Sequence, residues 1–414
     1  MHQSVEVVGP ADHVIQSRAY GQWLTLAILS GVTALCIGGV LVSFSLYLPV
    51  IAKTEPWSGA MIGGALTLML LSLNVAAIAA GAVADRTDPR RALAVGVLTL
   101  GLGCWIATSW HTIASFYFGA ALIGLGMGAA TITPSVSILT AAFVRREGLG
   151  LGVYFAALAL GAALAPLAQS TLISSFGWRR SLQLTGLVIA GTVVLIYLIP
   201  RPQRRRSFDS DTPVDDAQQK SGWAGLRNRG FVYLVAGLAL ASVSTQGVLY
   251  SVIDYLIKFG MQSASAVEVF SANSLLSVPA LLGAGILADH WGPGRILRVG
   301  LAAQAIGTLS LLAAFTPHPL GMVSLASFVV MWGITSGLSS QLAPLILREV
   351  GSPEHYGMLL GVAAAISGTF AAFAPLLTAG LLNSGGGYTS VFSVYSAMCL
   401  IAIPLFAMAR KSRV

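Results

Sequence analysis

The segment GAVADRTDPRR (residues 81–91) directly follows a long apolar run, and GILADHWGPGR (residues 285–295) follows another such run about half a chain later. In both copies a glycine precedes an aspartate by four residues, and an arginine lies beyond a short turn. The two aspartates, Asp85 and Asp289, are separated by 204 residues (289 − 85 = 204) in a chain of 414. This spacing predicts that the protein consists of two copies of one structural unit.

A second pair of segments repeats at nearly the same distance. Gly148 corresponds to Gly357 (357 − 148 = 209), and each stands near the start of an apolar run. Pro166 and Pro375, later in the same two runs, are also separated by 209 residues (375 − 166 = 209). Paired halves built from membrane-embedded segments are typical of secondary transporters, which bind their substrate between the halves.

The composition indicates a membrane protein. Apolar residues make up 56% of the chain and charged residues only 9%, with a mean hydropathy of +0.80, whereas a soluble domain has about 25% charged residues. About 20 apolar residues cross a bilayer as a helix, which satisfies its own backbone hydrogen bonds. The chain has twelve such runs, at approximately 22–51, 57–84, 92–111, 112–144, 148–176, 181–200, 230–257, 264–288, 296–317, 319–347, 355–383 and 388–409.

The basic residues indicate the orientation. If the N-terminus is cytoplasmic, all of the 23 Lys and Arg residues fall on the cytoplasmic side except Lys53, Arg179, Arg180 and Lys258, as the positive-inside rule requires. We therefore expect a multi-pass protein of the cell (inner) membrane with both termini in the cytoplasm. This orientation accounts for the net charge of +8, and no nucleic-acid partner is expected.

The expected organisation has five parts. These are a cytoplasmic tail (1–21), a first six-helix half (22–200), a cytoplasmic linker (201–229), a second six-helix half (230–409) and a second cytoplasmic tail (410–414). The linker is rich in charge, Pro, Ser and Gly, which is typical of a flexible tether, and its basic cluster at residues 204–206 is also compatible with lipid binding. The lipid bilayer is the expected partner, and the chain is expected to be a monomer.

These segments resemble a known family. The paired segments at residues 81–91 and 285–295, together with FGWRRS (residues 176–181), are similar to signature sequences of the major facilitator superfamily. The resemblance implies an all-α polytopic membrane protein with twelve transmembrane helices in two six-helix pseudo-symmetric halves. It also implies a secondary transporter that moves a small organic solute by alternating access. The driving force is an ion gradient, of protons by the resemblance, or the substrate gradient itself. Residues 45–64 resemble the monocarboxylate and oxalate/formate-type carriers of that superfamily.

The resemblance further implies a cytoplasmic gate. An aspartate at the end of one helix can accept hydrogen bonds from the N-terminus of another helix and pair with a nearby arginine. We expect Asp85 to face the start of the eleventh run and Asp289 the start of the fifth, and the first copy, with its three arginines, to form the stronger contact. The predicted gating residues are Gly81, Asp85, Arg86, Arg90, Arg91, Gly285, Asp289 and Arg295.

Two prolines are the predicted points at which helices bend. In the family that this chain resembles, the fifth and eleventh helices bend during transport, and here Pro166 and Pro375 interrupt the corresponding runs. An ordinary proline kink in each helix is the alternative interpretation.

Asp254 is the predicted proton-coupling residue, because a carboxylate within a span is costly and is usually retained for function. Lys258 lies four residues further along the run, so an ion pair on one helix face is the alternative. The predicted substrate-binding residues are polar or aromatic, and their packing or interhelical bonding is an equally open interpretation. They are Tyr47, Asn74, Tyr117, Gln246, Tyr250, Asn273 and Trp332.

The chain contains no Gly-Lys-Ser/Thr phosphate loop, no HExxH, no GxSxG and no Cys-x-x-Cys pair, which are motifs of nucleotide-driven, zinc-dependent, hydrolytic and redox proteins. Catalysis, a cofactor and a metal site are therefore not expected. Two substrate hypotheses stay open. The first is a monocarboxylate-type organic anion moved with protons, and the lack of Lys and Arg between Glu268 and Asp289 weakens it. The second is efflux of apolar drugs or metabolites.

Overall fold

The described part of the chain is helical throughout its regular structure. The computed structural model describes residues 10–143, 146–200, 226, 228–316, 319–350 and 355–411, and no β-strand occurs among them. The predicted linker lies outside the described residues as far as residue 225, as do residues 1–9 and 412–414 of the two tails.

The first half contains six membrane spans, and polar side chains begin several of its helices. Ser58 accepts a hydrogen bond from the Met61 amide, and Asp88 accepts one from the Arg90 amide, which satisfies amides that have no partner within the helix. Span 1 comprises helices Pro10–Cys36 and Phe44–Thr54, joined by the π-helical turn Ile37–Val42; span 2 is Gly59–Arg86, span 3 is Pro89–Ser109, and span 4 comprises Ile113–Ala130 and Ile132–Ala142. Spans 5 and 6 lie in helix Glu147–Gly191 and its continuation Val193–Leu198.

The second half repeats this arrangement. Its first helix begins after Asn228, whose side chain accepts a hydrogen bond from the Gly230 amide. Span 7 is Arg229–Lys258, span 8 is Ser263–Trp291, and span 9 is Pro293–Ser310 with the 3₁₀ turn Leu311–Ala313. Span 10 comprises Leu320–Gly333 and Leu338–Val350, span 11 comprises Tyr356–Ala372 and Ala374–Leu381, and span 12 is Gly387–Lys411 after the π-helical turn Leu382–Gly386.

Ten segments of the described residues are long and apolar enough to cross a membrane, and two of them are double spans. Glu147–Leu198 has 52 residues and Tyr356–Arg410 has 55, which correspond to about 80 Å of helix where about 30 Å suffices. Gly177, with φ of 76°, turns the first of them back on itself, and Gly385, with φ of 84°, turns the second. Counting each as two gives the twelve spans that the hydropathy predicts. Helix Pro10–Cys36 begins inside the predicted tail, although its apolar part starts only at residue 21.

Side-chain contacts confirm both turns. Gln169 and Thr185 are 16 residues apart, yet the Gln169 Nε2 donates to the Thr185 Oγ1 at 2.7 Å, whereas a straight helix would separate them by about 24 Å. Thr378 and Tyr395, 17 residues apart, are joined by a hydroxyl–hydroxyl hydrogen bond of 2.6 Å. Each long helix is therefore a hairpin of two antiparallel spans.

The outer surface of the described bundle is apolar. Leu167, Leu187 and Leu376 are 66%, 66% and 68% exposed, respectively. Large apolar side chains with this exposure are not tolerated over a whole surface in water, so the exposed faces of the spans require a lipid environment. The protein is a multi-pass membrane protein.

Candidate gate and substrate site

The repeated aspartates connect the two halves at one end of the bundle, where span 2 turns into span 3 and span 8 turns into span 9; we call this the latch end. Asp85 at the end of span 2 accepts hydrogen bonds of 2.8 Å from the Gly357 and Met358 amides. These amides lie in the first turn of span 11, where they have no partner within the helix and carry the positive end of its dipole. The carboxylate therefore caps a helix of the opposite half.

Asp289 forms the equivalent contact in the other direction. Its carboxylate accepts hydrogen bonds of 2.7 and 2.9 Å from the Gly148 and Leu149 amides at the start of span 5. The number and length of these bonds match those of Asp85, so the expected difference between the two contacts is not visible in their hydrogen bonds. We refer to the Asp85 and Asp289 contacts as the two latches.

The repeated glycines allow the helices to cross closely beside each latch. A Cβ on Gly81 would overlap the carbonyl oxygen of Gly357, and a Cβ on Gly285 would overlap that of Gly148. Small residues at a helix crossing let the two backbones touch. The four glycines therefore place spans 2 and 11, and spans 5 and 8, close enough for the aspartates to reach the amides.

The predicted gating arginines lie elsewhere. Arg90 is buried, its Nε donates to both carboxylate oxygens of Asp88 at 3.0 Å, and its Nη1 donates to the Ile199 carbonyl at 2.8 Å. Arg86 and Arg91 are exposed, and none of the three forms an ion pair with Asp85 within the described residues. The hydrogen bond from Arg90 also holds the pKa of Asp88 below its usual range. Arg90 thus fixes the loop to its own half, and the role of the three arginines in gating stays a prediction.

Arg295 of the second copy is likewise exposed. It lies in the first turn of span 9, beyond the turn that carries Asp289, and no ion pair between them occurs in the described structure. The predicted participation of Arg295 in the latch therefore has no support in the contacts.

A third contact between the halves was not anticipated from the sequence. Arg348, in the last turn of span 10, forms an ion pair with Glu147 at the start of span 5, and its Nη1 donates to the Thr140 carbonyl of span 4 at 2.7 Å. Arg348 comes from one half and both partners from the other, so this bridge adds to the latches. The basic residue itself was visible in the sequence, but its partners depend on how the halves meet.

The two predicted bending points differ in their helices. Span 11 is interrupted at Phe373, two residues before Pro375, whereas helix Glu147–Gly191 continues through Pro166. A proline removes one helical hydrogen bond and crowds the preceding turn, so both sites are weakened, yet only the second coincides with a break.

A buried polar cluster follows Pro166 in the first half. The Tyr47 hydroxyl of span 1 donates to the Gln169 Oε1 at 2.7 Å and lies 3.0 Å from the Ser181 Oγ, while Gln169 donates to Thr185. Every member is less than a tenth exposed. Tyr47 therefore joins spans 1, 5 and 6 within one half, and its role in substrate binding stays a prediction.

A second polar cluster follows Pro375, in which Tyr395 and Ser251 are buried and Thr378 is half-buried. The Tyr395 hydroxyl of span 12 donates to the Ala374 carbonyl at 2.9 Å and is bonded to the Thr378 hydroxyl, which lies 3.2 Å from the Ser251 Oγ of span 7. Thr378 is offset from Gln169 by 209 residues (378 − 169 = 209), as the two prolines are. The repeat offset was the signal that could have identified both clusters.

Two further substrate candidates are buried in the second half. Trp332 is 4% exposed, and its ring lies 5.8 Å from that of Phe328 in a stacked arrangement. Asn273 is 2% exposed and packs against Gly333, and its amide atoms have no hydrogen-bond partner. Neither side chain is accessible to a solute in this conformation, so both predictions of direct binding lack support here.

Tyr117 and Asn74 lie between helices. The Tyr117 hydroxyl of span 4 donates to the Met61 carbonyl of span 2 at 2.8 Å, within the first half. Asn74 of span 2 is half-buried and contacts Gly368 of span 11, in the opposite half. Asn74 thus continues the crossing that Gly81 begins, and of these two only Asn74 lies between the halves.

The remaining candidates share one face of span 7. Gln246, Tyr250 and Asp254 are spaced four residues apart, which aligns them along a helix. Gln246 is half-buried, Tyr250 is 57% exposed and Asp254 is exposed. We call these three residues the span 7 stripe. It is the one group of predicted substrate and coupling residues in the described structure that lies along one helix face and includes two exposed side chains.

Asp254 is held by a residue that the sequence did not single out. The Tyr388 hydroxyl at the start of span 12 donates to its carboxylate. The alternative ion pair with Lys258 is wrong in the described structure, because the Lys258 Nζ lies over the Tyr388 ring, 5.5 Å from its centroid. The pairing of spans 7 and 12, which are 134 residues apart at this contact, was not visible in the sequence.

Comparisons with known proteins agree with this architecture. The chain matches the model of the Major Facilitator Superfamily over residues 26–368 and again over residues 269–413. It is similar to a putative niacin/nicotinamide transporter of Bacillus subtilis, with 24% identity over 344 residues that cover 80% of this chain and 83% of that protein. It is also similar to monocarboxylate transporter 13 of Bos taurus, with 24% identity over 386 residues that cover 92% of this chain and 88% of that protein.

Among solved structures, the fold is similar to that of the E. coli fucose:proton symporter FucP, with a TM-score of 0.72. The superposition covers 94% of this chain and 98% of that one, at 16% sequence identity. At this identity the likeness shows the fold alone: twelve spans in two halves.

Proposed function

Because this chain belongs to the Major Facilitator Superfamily and is a membrane transporter of small molecules, we propose that it moves small monocarboxylic acids together with protons, by alternating access. The observation that carries the proposal is the span 7 stripe, on which the exposed carboxylate of Asp254 lies one helical turn from the exposed ring of Tyr250. A protonatable group beside neutral hydrogen-bonding groups suits a carrier that takes up a proton with an acid.

The latch end is assigned to the cytoplasm, because almost all of the basic residues fall on that side of the sequence-derived topology. The two latches and the Arg348 bridge hold the halves together there. We assign this conformation to the state in which the substrate site is closed toward the cytoplasm. Opening of all three contacts would allow the halves to rock and the site to face the other side.

Asp254 is the proposed proton carrier. As a carboxylate it accepts the Tyr388 hydrogen bond strongly, because an ionised acceptor forms a stronger bond than a neutral one. Protonation weakens that bond and loosens span 12 from span 7 at the end opposite the latches. Proton uptake is thereby linked to the packing of the helix that carries the stripe.

The proposed substrate carries one carboxyl group. An acid that moves with a proton is neutral overall, so an amide and a hydroxyl can hold it without an ion pair, and Gln246 and Tyr250 supply these two groups. The relatives named for niacin/nicotinamide and for monocarboxylates support a solute of this size and chemistry. The absence of Lys and Arg between Glu268 and Asp289 is compatible with such a site.

Uptake into proteoliposomes tests the proposal. Labelled lactate, pyruvate, acetate and nicotinate are offered with and without an inward proton gradient, and the gradient is expected to accelerate uptake of at least one of them. Asp254→Asn should abolish the acceleration while leaving exchange of internal for external substrate intact. Glu268→Gln, which removes another exposed carboxylate beside the same end of the bundle, is the matched control and should behave as the unmodified protein.

Two results would contradict the proposal, each in a different part of it. Absence of uptake for every acid would remove the substrate class. Uptake by Asp254→Asn with an unchanged dependence on the gradient would remove the coupling role of Asp254 but leave the substrate class intact.

A second candidate function is efflux of apolar compounds. It is favoured by the absence of any charged residue between Tyr356 and Arg410, and of any cation between Glu268 and Asp289, since an apolar substrate needs no counter-charge. Cells that express the protein would then survive higher concentrations of apolar drugs, and the proteoliposomes would not accumulate acids.

A further inference from the structure

Two adjacent arginines follow the Gly177 turn, and their surroundings differ. Arg179 donates to the Glu55 carboxylate at 2.8 Å and to the Thr108 carbonyl at 2.7 Å, and its guanidinium lies 4.6 Å from the Trp178 ring centroid. Its charge is thus neutralised within the first half. Arg179 fixes the turn between spans 5 and 6 to spans 1 and 3.

The Arg180 side chain, by contrast, lies on the outer surface of the bundle. It is exposed, and no ion pair or hydrogen bond of its side chain occurs within the described residues. It borders a surface groove of about 360 Å³ between the outer faces of spans 3 and 6. The groove is lined by Trp105, Phe176, Arg180, Gln183, Leu184 and Leu187.

The groove lies at the end of the bundle opposite the latches and on its outer face. Trp105 is four residues before the end of span 3, and Phe176 directly precedes the Gly177 turn. Trp105 and Leu187 are 56% and 66% exposed, so the groove opens toward the bilayer rather than toward the interior of the bundle. Tryptophan at this depth is typical of the lipid headgroup level.

We propose that this groove binds a phospholipid, with the headgroup phosphate on the Arg180 guanidinium and the acyl chains along the apolar wall. The guanidinium presents two parallel N–H groups that match the oxygens of a phosphate. The Gln183 amide, one turn along span 6, supplies a further donor, and Leu184 and Leu187 supply an apolar path into the membrane. An unneutralised cation above an apolar groove is complementary to an anionic head on apolar chains.

The alternative occupants lack one of these matches. A free phosphate ion would use Arg180 but leave the apolar wall without a partner. A lipid without phosphate would use the wall but leave the guanidinium without an acceptor. A phospholipid therefore uses both the Arg180 guanidinium and the apolar wall, and a separate substitution can remove each of the two.

Lipid titration followed by native mass spectrometry tests the site on the full chain in detergent. Phosphatidylglycerol, a diacyl glycolipid without phosphate and inorganic phosphate are added in separate arms. Arg180→Gln is expected to weaken phosphatidylglycerol binding by about tenfold, the effect of losing one charge-assisted bidentate contact. Lys53→Gln removes an exposed cation at the same end but outside the groove, and it should bind phosphatidylglycerol as the unmodified protein does.

A second variant examines the apolar wall. Leu187→Ser should weaken phosphatidylglycerol binding without a change in the folded fraction, because the Leu187 side chain is exposed. Equal binding of phosphatidylglycerol by Arg180→Gln and the unmodified protein would overturn the proposal. So would equal binding of the glycolipid, or inorganic phosphate that binds as tightly as phosphatidylglycerol.

Discussion

In the first half, Arg90 of span 3 reaches the Ile199 carbonyl at the end of span 6 and so holds the loop between spans 2 and 3. In the second half, the equivalent loop is held from the opposite direction: Arg410 at the end of span 12 packs against Gly294 and pairs with Glu349 of span 10. The loop and the last span of each half are joined in both cases. The arginine that joins them comes from a different helix in each half.

The polar clusters beyond the prolines show the same exchange. Each contains a tyrosine hydroxyl bonded to the residue three positions after the proline, Gln169 in one half and Thr378 in the other. The tyrosine comes from span 1 in the first half and from span 12 in the second. Each cluster ties the second part of span 5 or span 11 to its own half, whereas the latches tie the first part to the opposite half.

The duplicated features of the two halves are of two kinds. Where a contact uses a backbone amide, as at the latches, both halves retain the same residue, because any helix N-terminus offers that partner. Where the donor is a side chain, either of two packed helices can supply it, and the two halves have diverged. The latches should therefore respond equally to substitution, and the clusters need not.

The largest effect is expected from a methyl group placed between the crossing helices. Gly81→Ala and Gly285→Ala each direct a Cβ at a backbone carbonyl of the opposite half, and a backbone cannot move aside as a flexible side chain can. We expect each to shift the latch end toward the open state by about 2–3 kcal/mol, or roughly 30- to 150-fold, with loss of transport.

Spin-label distances across the latch end measure this shift. Val95→Cys and Val299→Cys place labels at exposed positions of spans 3 and 9 that are 204 residues apart (299 − 95 = 204), and the native cysteines are buried. Gly63→Ala on span 2 and Gly283→Ala on span 8 are the controls, since a Cβ at either position meets nothing within 4 Å. A short label distance retained in both interface variants would show that the crossing is not tight.

The next largest effect is expected at the latches themselves. Asp85→Asn and Asp289→Asn each remove the charge that caps a helix N-terminus, and we expect each to favour the open latch end by about 1–2 kcal/mol, or roughly 5- to 30-fold. The same label pair measures the shift. Because the bonds match, the two shifts should agree within about twofold; Asp88→Asn, whose carboxylate stays within one half, should leave the distance unchanged.

The same measurement shows whether the Asp85 latch is stronger than the Asp289 latch. A large shift in Asp85→Asn with none in Asp289→Asn would restore the sequence-based expectation that the first latch is the stronger. It would also mean that the exposed arginines around Asp85 act through the field of their charges rather than through contacts.

A smaller effect is expected from the ion pair that Arg348 and Glu147 form between the halves. Arg348→Gln removes the ion pair with Glu147 and the bond to the Thr140 carbonyl; the pair is about a quarter exposed, so we expect about 0.5–1 kcal/mol. In a double-mutant cycle, Arg348→Gln and Glu147→Gln should be non-additive in the label distance populations. Additive effects would show that the two residues act independently.

The spans and the latches were predictable because their signals are local. Hydropathy marks each run, and a carboxylate repeated at the end of two equivalent helices has few partners other than a helix N-terminus. The contacts of Asp85 and Asp289 thus follow from the repeat. The two turns at Gly177 and Gly385 also fall where the apolar runs were separated.

Which side chains of the spans face the cavity, and which face the bundle interior, was not predictable from the sequence. These helices are apolar on nearly every side, so no amphipathic pattern distinguishes the cavity from the bundle interior. Tyr47, Trp332 and Asn273 were therefore placed in the substrate site although they are buried within one half. Tyr388 was missed because its partner, Asp254, is supplied by a helix far away in the sequence.

The smallest effect is expected from the two buried tyrosines, and it bears on the divergence of the halves. Tyr47→Phe removes a donor to Gln169, which keeps its bond from Ser181, whereas Tyr395→Phe removes a donor to the Ala374 carbonyl beside the break in span 11. Each loss should cost about 1 kcal/mol of folding stability and lower Tm by about 2 °C, measured by thermal unfolding in detergent. Neither substitution should change the distance between the latch-end labels, because each cluster lies within its own half. If Tyr395→Phe also slows transport and Tyr47→Phe does not, the break at Phe373 is the point at which the second half bends, and the first half, whose span 5 is continuous, moves as a rigid unit.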